Sequence, residues 1–407
     1  MHMQDLIGTV LHQPTSSISY AVNRWLAETF AGQFVLLTTD GDFDLRSYAQ
    51  AGLCACAVTD QSHPELNHIW LGEEWGGMQT LPRNAWQRVT WEGHTLTVLT
   101  VTWMDSGCEH DRKWIIAPER ATAEAFFIAV CAWNGEVRQE ILVFEDGGWS
   151  KSEELFEAIQ SATFDSLVLG GTLKQDILND ARDFFAAEEI YTTYGVPWKR
   201  GILLIGSPGN GKTHTVKALI NELGKPCLYV KNFDTQYSTP SSNMSQVFQR
   251  ARKTAPCVLV MEDLDALITE ESRSFFLNEV DGFAVNHGIL LLATTNHPER
   301  IDSAIMNRPS RFDRKYHFEL PGLAERRDYI ALWNESLRPA TRLSPAGVDA
   351  AAEHSEGFSF AYLKELFLSA LMSWISTPQE GAMDARILDQ IALLREQTVS
   401  LEEESAE

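Results

Sequence analysis

Gly206-Ser207-Pro208-Gly209-Asn210-Gly211-Lys212-Thr213 decides how the rest of this 407-residue chain is read. The apolar run Gly201-Ile202-Leu203-Leu204-Ile205 leads into it, and a helical pattern from His214 to Leu223 leaves it. Strand, glycine loop and helix in that order make a phosphate-binding loop. Gly206, Gly209 and Gly211 let backbone N–H groups curl around a phosphate without Cβ clashes. The helix beginning at Lys212 aims its positive end at the same anion. Lys212 can reach β- and γ-phosphates, and the Thr213 hydroxyl can ligate Mg²⁺. Ser207, Pro208, Asn210 and His214 complete the nucleotide-contacting stretch.

Downstream, apolar strands alternate with helices. Cys227–Val230 is a strand, Met244–Lys253 a helix, and Cys257–Met261 a strand that ends in the acids Glu262, Asp263 and Asp265. A helix from Glu271 to Val280 leads to the strand Gly288–Thr295 and to Asn296. That alternation predicts an α/β fold with a doubly wound parallel sheet. The polar residues gather at the C-terminal ends of the strands, where such sheets bind ligands. Glu262 suits the metal side of a phosphoryl-transfer site, through water, and Asp263 suits the general base that orients the attacking water. The Asn296 amide can hold that water against the γ-phosphate. Arg308 and Arg311, around Pro309, can present guanidinium groups to a phosphate, from the same chain or from a neighbour. Arg314 and Lys315 are expected in salt bridges.

With these residues in place, the chain from about Phe164 to Ser373, roughly half of it, resembles an AAA-family ATPase module. Gly206–Thr213 matches Walker A, Val258–Asp263 Walker B, Asn296 the sensor-1 position, and Arg308 and Arg311 the two arginine-finger positions. Asn278-Glu279-Val280-Asp281-Gly282 resembles the family's stretch before the sensor-1 strand, and Gly357-Phe358-Ser359 its lid opening. Within the family, Tyr191–Thr213 and the Glu262-Asp263 order look most like the mitochondrial Rieske-protein translocase branch and its bacterial relatives. Most members have Asp-Glu here, so a base on Asp263 is one methylene shorter. The resemblance implies ATP and Mg²⁺, a homo-oligomeric ring of six or seven subunits, arginine fingers acting in trans, and a central pore that acts on a protein. Tyr237 stands near the position of the family's peptide-gripping aromatic, in a loop that carries Pro240.

Residues 1–150 read as a separate α+β domain, with nine of the twelve tryptophans and a net charge of −11. Phe34–Leu37, Thr95–Val101, Lys113–Ile116 and Glu140–Phe144 read as its strands, and Ala121–Trp133 as a helix. Its tryptophans are expected mainly in packing, the thiols of Cys54 and Cys56 in apolar surroundings, and Cys108-Glu109-His110-Asp111 in a loop. Residues 151–165 read as a connector, 166–322 as the large ATPase subdomain, 323–397 as a helical lid and 398–407 as a solvated acidic tail. The net charge of −23 disfavours a sequence-independent nucleic-acid partner. No apolar run approaches the ~20 residues of a membrane helix. No leader pattern opens the chain, so a cytoplasmic location without a membrane span is expected. No His-Glu-x-x-His occurs, so any proteolysis would need a separate partner. The function expected is an ATP-hydrolysing ring that remodels, unfolds or translocates a protein recognised by the first domain. The alternative is a slow ATP-dependent switch or assembly scaffold.

Overall fold

The structure, a computed structural model, describes residues 3–59, 64–70, 78–105, 108–137, 140–235, 238–281, 286–306, 308, 310–379 and 381–405. The chain divides into two compact units, Met1–Glu136 and Val137–Glu407.

In the first unit, helices α1 (Met3–Leu11) and α2 (Ile18–Thr29) precede strand β1 (Phe34–Thr38) and helix α3 (Leu45–Gln50). Strands β2 (Ala55–Val58), β3 (Glu65–Trp70), β4 (Met78–Trp91), β5 (His94–Asp105) and β6 (Cys108–Ala117) follow, then helix α4 (Arg120–Gly135). The sheet is antiparallel in the order β1-β6-β5-β4-β2, with β3 also paired to β4. Side chains alternate across it. Trp86, Leu99, Val101, Trp114 and Ile116 meet α1 and α2 on one face. Val89, Trp91, Leu96, Val98 and Ile115 meet α3 and α4 on the other.

Trp86, Trp91, Trp103 and Trp114 are buried, in keeping with a packing role. The polar ends of two of them are satisfied, Trp114 Nε1 by Asn23 Oδ1 at 2.7 Å and Trp91 Nε1 by the Tyr48 hydroxyl at 3.2 Å. Trp70, 68% exposed, stands apart, and Trp75 lies outside the described residues. Cys108–Asp111 opens β6 instead of forming a loop, because it pairs with Thr102–Asp105 of β5, and His110 stacks on Trp103. Cys54 and Cys56 are half-buried at β2. Gln87 Nε2 donates to the Cys56 sulfur at 3.2 Å, and burial pushes the Cys54 thiol up to about 11.

The second unit begins with strands β7 (Ile141–Glu145) and β8 (Gly148–Ser152) and helices α5 (Glu153–Gln160), α6 (Leu173–Ala186) and α7 (Glu188–Thr193). The expected boundary at 150 moves to 136/137, because β7 pairs in parallel with a strand of the second sheet. The expected connector contributes to the core of this unit through Ile159 and Phe164.

Next come β9 (Lys199–Gly206), α8 (Lys212–Leu223), β10 (Cys227–Val230), α9 (Pro240–Thr254), β11 (Cys257–Met261), α10 (Leu264–Leu267), α11 (Glu270–Asp281), β12 (Ile289–Thr295), α12 (Ser303–Met306) and β13 (Arg314–Phe318). The sheet order is β13-β9-β12-β11-β10-β7-β8, parallel apart from β8. Successive residues serve opposite faces. Leu203, Ile205, Leu259, Met261, Leu291 and Ala293 pack against α9 and α11. Ile202, Leu204, Val258, Val260, Leu290 and Leu292 pack against α6 and α8. Both faces are covered, which is why these strands read as unbroken apolar runs.

A helical lid completes the unit: α13 (Leu323–Ser336), α14 (Pro345–His354), α15 (Phe360–Ser376) and α16 (Met383–Ser405). Its own core is built on Ile330, Leu363, Phe367, Ile387 and Ile391. The tail expected from 398 onward continues α16 to Ser405, where glutamate and leucine favour helix and no glycine or proline stops it. Among the described residues no helix is long and apolar enough to cross a membrane.

Candidate functional site

The loop between β9 and α8 is shaped by backbone that only glycine adopts without strain. Gly209 has φ +81° and Gly211 φ +93°. A Cβ on Gly209 would press on Ala361 and Ser359 of the lid, at 2.7 and 2.8 Å. The Lys212 ammonium donates to the Gly206 and Ser207 carbonyls at 2.6 and 2.9 Å. Burial lowers its pKa, and the carboxylates of Asp263, Glu262 and Asp265 partly offset that. Asn210 is buried, and its side-chain amide finds no hydrogen-bond partner among the described residues. Thr213 is exposed one position on, at the mouth of the loop.

The acids lie on the adjoining strand end. Asp263 has φ +49° and ψ +54°, a left-handed conformation that Asp tolerates better than most residues. Its N–H donates to Thr294 Oγ1 at 3.0 Å, and its carbonyl accepts from Ala266 at the start of α10. The turn aims the carboxylate at β12, where Asn296 Nδ2 donates to Asp263 Oδ1 at 2.8 Å. Thr295 Oγ1 likewise donates to Asp265 Oδ1 at 2.7 Å. Glu262 points the other way: its Oε2 accepts from the Tyr229 hydroxyl at 3.0 Å, while its Oε1 is buried without a partner among the described residues. Burial pushes the Tyr229 hydroxyl well above its usual pKa, and the Glu262 charge adds to the effect.

Part of this set opens on a cavity of about 710 Å³, which Glu262 and Tyr229 adjoin without lining. Lys212, Thr213, Asp263 and Asn296 line its polar end. Leu167, Val168, His214, Tyr329 and Trp333 line an apolar end suited to a flat ring. His214 Nε2 lies 3.1 Å from Ser166 Oγ and 3.3 Å from the Thr163 carbonyl, which fixes the incoming segment against α8. The lid closes directly on the loop, with Ala361 N–H donating to the Gly209 carbonyl at 3.0 Å. Lys364 adds a cation to the same wall. Tyr229, Thr294 and the lid residues were missed in the sequence because each acts on a partner more than thirty residues away. The spacing of Tyr329 and Trp333, one helical turn apart, was the only local sign of a shared face.

The two arginines part company. Arg311 is 8% exposed, and its guanidinium donates to the Ala304 carbonyl of its own chain. Arg308 has a side chain 63% exposed, with Nε 3.3 Å from Asp281 Oδ2. Of the two, Arg308 is the one whose side chain is largely exposed, and Arg311 is tied into its own chain. Neither lines the cavity of its own chain. Asp281 anchors the segment: burial opposes its charge, but Ser310, Lys199 and Arg308 outweigh that and hold its carboxyl below the usual range. Arg314 pairs with Asp180 at 3.5 Å. Tyr237 lies outside the described residues.

Residues 202–320 match a family model described as "ATPase family associated with various cellular activities (AAA)". The chain is 29% identical over 255 residues to the ATP-dependent zinc metalloprotease FtsH of Aster yellows witches'-broom phytoplasma, covering 59% of this chain and 37% of that protein. It is 30% identical over 239 residues to FtsH 3 of Synechocystis sp., covering 55% and 38%. It is 34% identical over 210 residues to FtsH of Acidothermus cellulolyticus, covering 47% and 31%. The chain thus spans less than two fifths of the length of these relatives. These matches make residues 202–320 similar to the ATPase domain of the AAA+ superfamily. They do not show the Rieske-protein translocase branch, since the relatives carry metalloprotease names. Parallel sheet, glycine loop and helical lid, with an α+β region ahead of them, make a P-loop NTPase fold.

Proposed function

We propose that this chain is a subunit of an ATP-hydrolysing homo-oligomeric ring, of six or seven copies, that remodels, unfolds or translocates a protein. The observation that carries the reading is the meeting of Lys212, Asp263 and Asn296 in one cavity under the lid. Backbone N–H groups of Gly206–Thr213 cradle the phosphates of ATP. Lys212 exchanges the Gly206 and Ser207 carbonyls for phosphate oxygens. Asp263 accepts a proton from the attacking water, and Asn296 orients both. The residues also fit Mg²⁺: the Thr213 hydroxyl and, through water, the unpartnered Glu262 Oε1 would hold it. Bound there, it would neutralise charge on the β- and γ-phosphates. Arg308 of the next copy serves the γ-phosphate, while Arg311 and Asp281 hold the segment that presents it. The first unit recognises the protein substrate; its exposed Ile69, Trp70 and Met78 are the natural contact. Tyr237 remains the candidate pore aromatic.

A slow switch is the second reading. It draws on Asp263, a short base in a left-handed conformation that is already tied to Asn296. Turnover per site separates it from a motor.

Mixing two inactive variants tests the ring. Asp263→Asn protein keeps Arg308, and Arg308→Ala protein keeps Asp263. In a heterologous ring, an equal mixture restores hydrolysis at about a quarter of the sites, because half the subunits retain the base and half of those gain a neighbour with the arginine. Phosphate release that stays at the level of the separate variants would rule out action between subunits.

A further inference from the structure

We infer that Tyr229 is a positioning residue that sets Glu262 from the neighbouring strand, so that one carboxylate oxygen is left for the hydration shell of Mg²⁺. The inference rests on the ATPase reading above.

Strands β10 and β11 run in parallel, with Tyr229 opposite Val260. That register brings the phenol beside the side chain that leaves the end of β11. The ring packs against the buried core of one sheet face, so the hydroxyl has little freedom. A phenol is protonated at neutral pH and a carboxylate only accepts, so the 3.0 Å contact runs from Tyr229 to Glu262 Oε2. The other oxygen, Oε1, is buried and unpartnered among the described residues. A buried carboxylate oxygen without a donor is costly unless a ligand supplies one.

The acid order makes this contact necessary. Glutamate carries one more rotatable bond than aspartate, and fixing it costs more side-chain entropy. With Glu at position 262 and Asp at 263, the longer and looser carboxylate sits on the metal side. Tyr229 removes that looseness by taking one oxygen. Groups that orient a metal-side ligand in this way commonly change metal affinity by about 10–100-fold when lost.

The test uses the full chain and a fluorescent ATP analogue, followed by anisotropy, first in EDTA and then across a Mg²⁺ titration. For Tyr229→Phe, affinity in EDTA stays at the wild-type value, while the half-saturating Mg²⁺ concentration rises by about tenfold. In a Glu262→Gln background the same substitution adds little further change, since the two side chains act as a unit. An unchanged Mg²⁺ midpoint in Tyr229→Phe overturns the inference. So does an equal loss in EDTA and in Mg²⁺, which would mark Tyr229 as a packing residue only. If wild-type protein binds no nucleotide in either condition, the ATPase reading itself fails and the inference falls with it.

Discussion

Asp263→Asn protein is expected to bind ATP as wild type does and to release phosphate on the order of a thousandfold more slowly. The substitution keeps the size and the hydrogen-bonding reach of the side chain. Asn296 can still meet it, and Asn tolerates the left-handed backbone at this position as Asp does. What is lost is the basic oxygen that takes the proton of the attacking water. Lys212 and the glycine loop are untouched, so nucleotide affinity holds. Steady-state phosphate release and analogue binding, measured on the same preparation, separate the two effects. Release within threefold of wild type would mean that Asp263 only terminates β11, and the base would have to be sought elsewhere in the cavity.

Gly201→Ala is expected to destabilise the second unit by about 3 kcal/mol and to displace the segment that carries Arg308. By strand alternation, residue 201 faces the same side as Leu203 and Ile205. A Cβ there would overlap the carbonyl oxygen of Arg311 and lie 3.0 Å from the Phe312 Cα. Both obstacles are backbone, so no side-chain rotation relieves them. Phe312 is itself 1% exposed and cannot move without opening the core. Gly201 N–H also donates to Asp313 Oδ2 at 3.0 Å, which pins the same segment. A lowered unfolding midpoint for this unit, with faster hydrogen exchange in β9 and β13, is the expected signature. Unchanged exchange in β13 would mean that the segment tolerates the methyl group in place.

The reading of Ile141–Phe144 shows how far local pattern reaches. Four consecutive apolar residues followed by Asp146-Gly147 announce a strand and a turn, and both are present. The tryptophan content and charge of the first block drew that strand into the wrong unit. The run was itself the signature of a strand covered on both faces: Ile141 and Val143 serve one core, Leu142 and Phe144 the other. Strand β13 escaped detection for the opposite reason. Arg314-Lys315-Tyr316-His317-Phe318 is polar, and only its place at the sheet edge beside β9 makes it a strand.

Residue order alone was enough for the phosphate loop, the acids after β11 and the amide after β12. Each is a short motif whose chemistry depends on neighbours along the chain and on a strand or helix that periodicity reveals. Residue order could not separate Arg308 from Arg311, because exposure depends on Asp281 and Ala304, which lie elsewhere in the fold. Nor could it join Asn296 to Asp263 or Tyr229 to Glu262. Those pairs form across parallel strands whose crossovers separate the partners by about thirty residues, and sheet register, a property of the packed chain, brings them within hydrogen-bonding distance.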